Sequence, residues 1–225
     1  MTFIEIKNLT KVYHVGKQEI KALQNVDLSI EEREFVAIFG PSGSGKTTLL
    51  LALCALIKPT QGEIIIDGTN ITKLKDNEAA LWRRRNTGFV FQKINLLSFL
   101  NVLDNVLLPL YPADVNKDDV TERALNLIKA VGLEERINHK PAQLSVGEQQ
   151  RVALARALIG NPKIVFADEP TAHLDTETGK SVIMLMKKLK DEYKTTFIVA
   201  THDPEMGNLA DRIIKIRDGR ILNKE

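Results

Sequence analysis

The order of apolar runs predicts an α/β fold: a mixed sheet with helices on its faces, an inserted helical subdomain, and an N-terminal antiparallel β part. Three observations carry this. Strand-like runs dominate the start, strand and helix patterns alternate again near the end, and about residues 93–160 show little strand signal but several helix patterns. The expected division is a core from residues 1–92 and 161–225, with 93–160 as the helical subdomain, all within one domain of 225 residues.

The first strands are "FIEI", "VDLSI" and "EFVAIF". "EIIIDGTNI" adds another, with a turn at Asp67-Gly68. Helix patterns run from Gly45 to Ile57 and from Lys117 to Val131. A third lies in "QLSVGEQQRVALARALIGNP", where Ser145 can cap and Glu148 stands at the capping-box spacing. Gly160-Asn161-Pro162 stops it. "KIVFAD" reads as a buried strand, Thr176 to Asp191 as a helix, and "TTFIVAT" as a strand. "IKIRDGRIL" closes as a hairpin around Asp218-Gly219.

Composition removes several classes. Hydrophobic residues at 44% and charged ones at 27% exclude wholesale disorder. A net charge of +2 does not argue for a nucleic-acid surface. The longest apolar run, Leu49 to Ile57, has nine residues, far short of the roughly 20 that cross a bilayer. The start "MTFIEIKNLTKVY" has no signal-peptide pattern. A membrane role therefore needs a spanning partner. Cys54, the single cysteine, forms no intrachain disulfide, and its apolar neighbours fit a small core residue.

"GPSGSGKTT" matches G-x-x-x-x-G-K-S/T between an apolar run and a helix. Gly40, Pro41, Ser42, Gly43, Ser44, Gly45, Lys46, Thr47 and Thr48 make up this loop. Glycines let backbone N–H groups curl around phosphate, and the following helix points its positive end at the anion. Lys46 can reach β- and γ-phosphates, and the Thr47 hydroxyl can ligate Mg²⁺. A phosphate-loop NTPase core follows. "KIVFADEP" ends a buried strand in Asp168 and Glu169, at the sheet edge where α/β ligands sit. Asp168 would hold Mg²⁺ through its water shell, and Glu169 would polarise the attacking water. Taken alone, the two acids also fit an acidic helix start. His202, after "TTFIVA", and Gln92, closing "GFVFQ", reach the same edge; either also fits an ordinary strand end.

Phosphate loop, glutamine, "LSVGEQ", "VFADEP", "LD" and histidine, in that order, resemble the ATP-binding cassette (ABC) ATPases from Tyr13 to Gly219. The resemblance implies ATP and Mg²⁺ as ligands. It implies that Tyr13 stacks on adenine, although a strand-end tyrosine explains it as well. Gln92 becomes the glutamine that senses Mg²⁺ and touches the membrane subunit, with Thr47 and Asp168 completing the metal site. Glu169 becomes the catalytic carboxylate, His202 the switch histidine at the γ-phosphate, and Asp175 the loop that crosses a dimer interface. Leu144, Ser145, Val146, Gly147 and Glu148 become the signature, which acts on ATP held by a second copy. The family further implies head-to-tail pairing that drives an integral membrane transporter subunit, in the cytoplasm at the inner face of the cell membrane, without nucleic acid. "GFVFQKINLL" and "DNVLLPL" are most similar to the lipoprotein-releasing and macrolide-export branch. A nucleotide-dependent scaffold of the cell-division type is the alternative. A DNA-repair ATPase fits less well, because no sustained heptads separate Lys46 from Ser145.

Four positions depart from the family pattern. Val146 and Glu148 replace the usual Gly and Gln of the signature, Arg33 stands where a turn glycine is common, and His173 precedes Asp175. Glu148 is expected either to disfavour the closed dimer by repelling ATP or to stabilise its own helix as a cap. The basic run "WRRRN" reads first as a solvated helix face and second as a contact with anionic lipid or an acidic loop.

Overall fold

The structure, a computed structural model, describes residues 2–16, 18–111 and 117–222. Two sheets face each other across one of two hydrophobic clusters. The first has the order β2-β1-β4-β5, from β1 (Thr2–Val15), β2 (Gln18–Glu31), β4 (Gln61–Ile66) and β5 (Thr69–Asn70), all antiparallel. The second contains β3 (Phe35–Phe39), β6 (Thr87–Val90), β7 (Ile164–Asp168), β8 (Thr196–Thr201), β9 (Arg212–Arg217) and β10 (Arg220–Ile221). Its order is β10-β9-β3-β8-β7-β6, parallel except for the terminal β9–β10 hairpin.

Strands β3, β7 and β8 are buried on both faces, which is why their sequences are continuous apolar runs. Alternate residues serve opposite cores. Phe35, Ala37, Val165, Ala167, Phe197 and Val199 face α3 (Val102–Leu107), α4 (Lys117–Ala130), α5 (Val146–Leu158) and α6 (Thr176–Tyr193). Val36, Ile38, Ile164, Phe166, Ile198 and Ala200 face α1 (Lys46–Leu53) and the antiparallel sheet. Helix α2 (Asp76–Asn86) buries only Ala79, and α7 (Pro204–Leu209) follows β8.

Three expectations change in detail. The first strand runs on to Val15, past "FIEI", because bulges beside Asn8 and Asn25, both at positive φ, absorb its breaks in alternation. The helix expected to reach Ile57 stops at Leu53. Ala55 adopts φ 51° and the Leu56 N–H bonds the Leu51 carbonyl, a Schellman closure without glycine. The "WRRRN" face is not uniformly solvated: Arg83 turns inward and donates to the Ala55 carbonyl at 2.6 Å. Arg33 does sit at φ 63°, with its N–H held by the Thr196 hydroxyl at 2.8 Å. Cys54 is buried, and burial pushes its thiol up to about 12.

Candidate active site

Strand order builds the site. The carboxyl ends of β3, β8, β7 and β6 lie side by side, and each is followed by a polar element: the phosphate loop, His202, Glu169 and Gln92. Register then sets distances. Asp168 pairs with Ala200, so the Glu169 N–H donates to the Ala200 carbonyl at 2.9 Å, and Glu169, one residue past that pair, meets His202, two residues past it. His202 Nδ1 lies 2.9 Å from Glu169 Oε2. Glu169 is itself at φ 46°, an uncommon backbone state that aims its carboxylate back across the loop.

Lys46 is 6% exposed. Its ammonium donates to the Gly40 and Pro41 carbonyls at 2.8 and 3.0 Å and lies 3.2 Å from Glu169 Oε1. Thr47 Oγ1 donates to the Asp168 carboxylate at 2.9 Å. Burial raises the Asp168 carboxyl above the ordinary range; the Thr47 hydroxyl opposes this, the Glu169 charge adds to it and Lys46 opposes it. The loop is braced from outside: the Gly219 N–H donates to the Ser44 carbonyl at 2.9 Å and the Gln24 N–H to the Gly219 carbonyl at 2.8 Å. Gly45 sits at φ 105°, and a Cβ there would fall 2.4 Å from the Ala22 carbonyl oxygen, so glycine is obligatory.

A cavity of about 460 Å³ opens above these groups. Its walls include Ser42, Gly43, Lys46, Thr47, Gln92, Glu169 and His202, with Ile20, Gln24 and Asp218 on the far rim. Tyr13 is not a wall; it pairs across the hairpin with Ile20, and Lys11 lies over its ring at 5.1 Å. Neither Ser145 nor Asp175 reaches the cavity. Ser145 caps α5, accepting the Glu148 N–H at 3.2 Å, while Glu148 Oε2 accepts the Ser145 N–H at 2.8 Å. Asp175 caps α6 through the Thr178 N–H at 3.0 Å. Those two helix starts touch: a Cβ on Gly147 would lie 2.6 Å from Thr178 Cγ2. Leu144 is buried, Val146 is exposed, and His173 is exposed.

The family profile described as "ABC transporter" matches residues 23–172. The chain belongs to that family. It is 48% identical, over 99% of its length and 96% of the relative's, to the uncharacterised ABC transporter ATP-binding protein MJ0796 of Methanocaldococcus jannaschii. It is 42% identical to the lipoprotein-releasing system ATP-binding protein LolD of Wigglesworthia glossinidia brevipalpis, over 100% of this chain and 98% of LolD. The macrolide export ATP-binding/permease protein MacB of Syntrophobacter fumaroxidans matches 98% of this cassette at 43% identity, but only 31% of MacB is covered. Among solved structures, dimeric MJ0796 superposes with a TM-score of 0.89 at 47% identity, covering 99% and 97% of the two chains. This chain is thus the ATP-hydrolysing part of an ABC transporter, and no helix among its described residues is long and apolar enough to cross a membrane.

The cassette's residues fit Mg²⁺ and a nucleotide. Among the described residues no cluster of three acids, histidines or cysteines forms a protein-only cage. One carboxylate and one hydroxyl, Asp168 and Thr47, stand together instead, the oxygen set that Mg²⁺ shares with substrate phosphates. The buried Ser44 hydroxyl has no partner among the described residues, as expected of a donor reserved for phosphate. Sequence reasoning placed the hairpin at Asp218-Gly219 but missed that it braces the phosphate loop, and it missed the Thr178 contact of Gly147 and Arg136 beside Glu148. Only the Asp-Gly turn carried a local signal.

Proposed function

We propose that this cassette works as one of a head-to-tail pair, each copy holding ATP on its own phosphate loop beneath the other's signature. One observation carries the reading: the start of α5 lies outside the cavity that Lys46 and Glu169 line, so a signature that touches ATP there would have to come from a second chain. A solved structure of MJ0796 in a dimeric, post-hydrolysis state bound to ADP and Pi aligns here with a TM-score of 0.89.

Each side chain then has a task. Lys46 takes the γ-phosphate in place of the Glu169 carboxylate it now holds. Freed from that pair, Glu169 accepts the proton of the water that attacks the γ-phosphorus, as the bond to ADP breaks. His202, 2.9 Å away, keeps Glu169 pointed at the cavity. Thr47, Asp168 and Gln92 would hold Mg²⁺, which neutralises phosphate charge when bound. Ser145 turns its hydroxyl hydrogen outward while its oxygen remains the cap of α5. Tyr13, across the hairpin from the rim residue Ile20, would offer a ring to a base that extends past the cavity, and Asp175 would cross the seam.

The motion is delivered to an integral membrane subunit of the lipoprotein-release or macrolide-export type, with the cassette on the cytoplasmic face. A cleft of about 480 Å³ beside β6 suits that contact. Leu56, Phe89, Phe91 and Leu110 make its apolar walls. Arg156 is buried there against the Ile94 and Asn95 carbonyls, and Arg83 lines the same wall. An apolar segment bearing an acid complements it.

Glu169→Gln tests the pairing. ATP binding is expected to persist, turnover to fall about 10²- to 10⁴-fold, and an ATP-bound dimer to accumulate on a sizing column. A monomer at saturating ATP, or normal turnover, refutes the reading.

A further inference from the structure

The helix that is to take a phosphate begins with a carboxylate. Glu148 stands in the first turn of α5, tied by reciprocal bonds to Ser145 at 2.8 and 3.2 Å. Those bonds, the Ser145 N–H first, hold it below the usual carboxylate range, so it is charged at neutral pH. A negative charge so near the N–H groups of the helix start opposes the field that attracts an anion there.

Arg136 lies against that charge. It ends a short 3-10 turn (Glu134–Arg136), and its Nε stands 3.4 Å from Glu148 Oε1. The side chain makes no other hydrogen bond among the described residues, so both terminal nitrogens keep their donors. The two groups are 43% and 29% exposed. An ion pair this long and this wet adds little to fold stability. Its consequence is local charge: the first turn of α5 presents no net negative charge with Arg136 in place.

We propose that Arg136 is a positioning residue of the half-site that acts in trans: it neutralises Glu148, so that a signature carrying an acid accepts the γ-phosphate held by a second copy of this chain. The inference rests on the head-to-tail pairing above. It also replaces the expectation that Glu148 simply repels ATP, since the repulsion is cancelled within the chain.

The test measures ATP-driven dimerisation of the full chain by light scattering, in a Glu169→Gln background. Arg136→Ala is expected to weaken the dimer about tenfold, because each dimer contains the site twice. Adding Glu148→Gln is expected to restore it to within about twofold of the parent, and Arg136→Lys to retain most of it. Rising salt should narrow the gap between parent and Arg136→Ala. If Arg136→Ala weakens the dimer equally with or without Glu148→Gln, or lowers the melting midpoint in step with the dimer, the residue is structural and the proposal is overturned. If the parent itself stays monomeric with ATP, the pairing fails and takes the proposal with it. Those outcomes are separable because the parent is read first.

Discussion

The phosphate loop and the signature helix each open a helix whose backbone N–H groups can face an anion, yet they are finished in opposite ways. At α1 the preceding residue is Gly45, which offers no side-chain cap, and the buried Ser44 hydroxyl has no partner among the described residues. At α5 a complete capping box satisfies the Ser145 and Glu148 N–H groups from within the chain. The first start is therefore prepared for a ligand and held open by tertiary bracing. The second is content without one and can face solvent in a single chain. Under the proposed pairing, a phosphate completes the first and is an addition to the second.

The sharpest way to break that contrast is to compare ATP affinity of the single chain in two variants. Lys46→Ala removes a cation that is 6% exposed and aimed at the loop, and should weaken binding by roughly 10- to 100-fold, the range of a hydrogen bond to a charged group. Ser145→Ala should leave single-chain affinity within about twofold, because the helix start lies outside the cavity. Calorimetry on both measures it. Equal losses would mean that the two starts share one ligand within one chain.

A second variant sharpens what holds the signature in place. Gly147→Ala puts a methyl 2.6 Å from Thr178 Cγ2, and overpacking of this kind costs about 1–3 kcal/mol. The expected result is a lowered melting midpoint and a weaker ATP-driven dimer, since the starts of α5 and α6 are forced apart. Thr178→Ser removes the opposing methyl and should recover most of both. A Gly147→Ala protein that melts like the parent would show that the glycine serves only close approach to phosphate.

The motifs were legible because their chemistry follows from local spacing: nine residues of loop, two acids at a strand end, a serine three residues before a glutamate. Their meeting place was legible too, once alternating strands and helices implied a parallel sheet with its ligands at the carboxyl edge. What sequence could not carry were approaches between distant segments. Nothing near Gly147 announces Thr178, nothing near Ser44 announces Gly219, and nothing marks Arg136 as the neighbour of Glu148. The overrun of α1 has the same origin. Ala55 at φ 51° donates its N–H to the Ala52 carbonyl, and its own carbonyl accepts from Arg83, which reaches in from α2; an alanine gives no sign of a left-handed stop.

The smallest expected effect separates binding from stability at the phosphate loop itself. Burial lifts the Asp168 carboxyl above its unfolded value, with Glu169 adding to the lift. The native state thus binds this proton more tightly than the unfolded chain does. By linkage, the contribution of Asp168 to stability is greatest below its unfolded pKa and is lost as pH rises through the folded value. At neutral pH the buried, charged carboxylate is a local cost to stability. Asp168→Asn keeps an acceptor for the Thr47 hydroxyl and removes that cost. It should stabilise the nucleotide-free chain by about 1 kcal/mol, as site substitutions that trade activity for stability commonly do. It should also flatten the part of the stability profile above the unfolded pKa that this group controls, while Mg²⁺-dependent turnover falls. Denaturant titrations across that range measure it. A variant that is less stable than the parent at neutral pH would mean that the Thr47–Asp168 bond outweighs the burial of the charge.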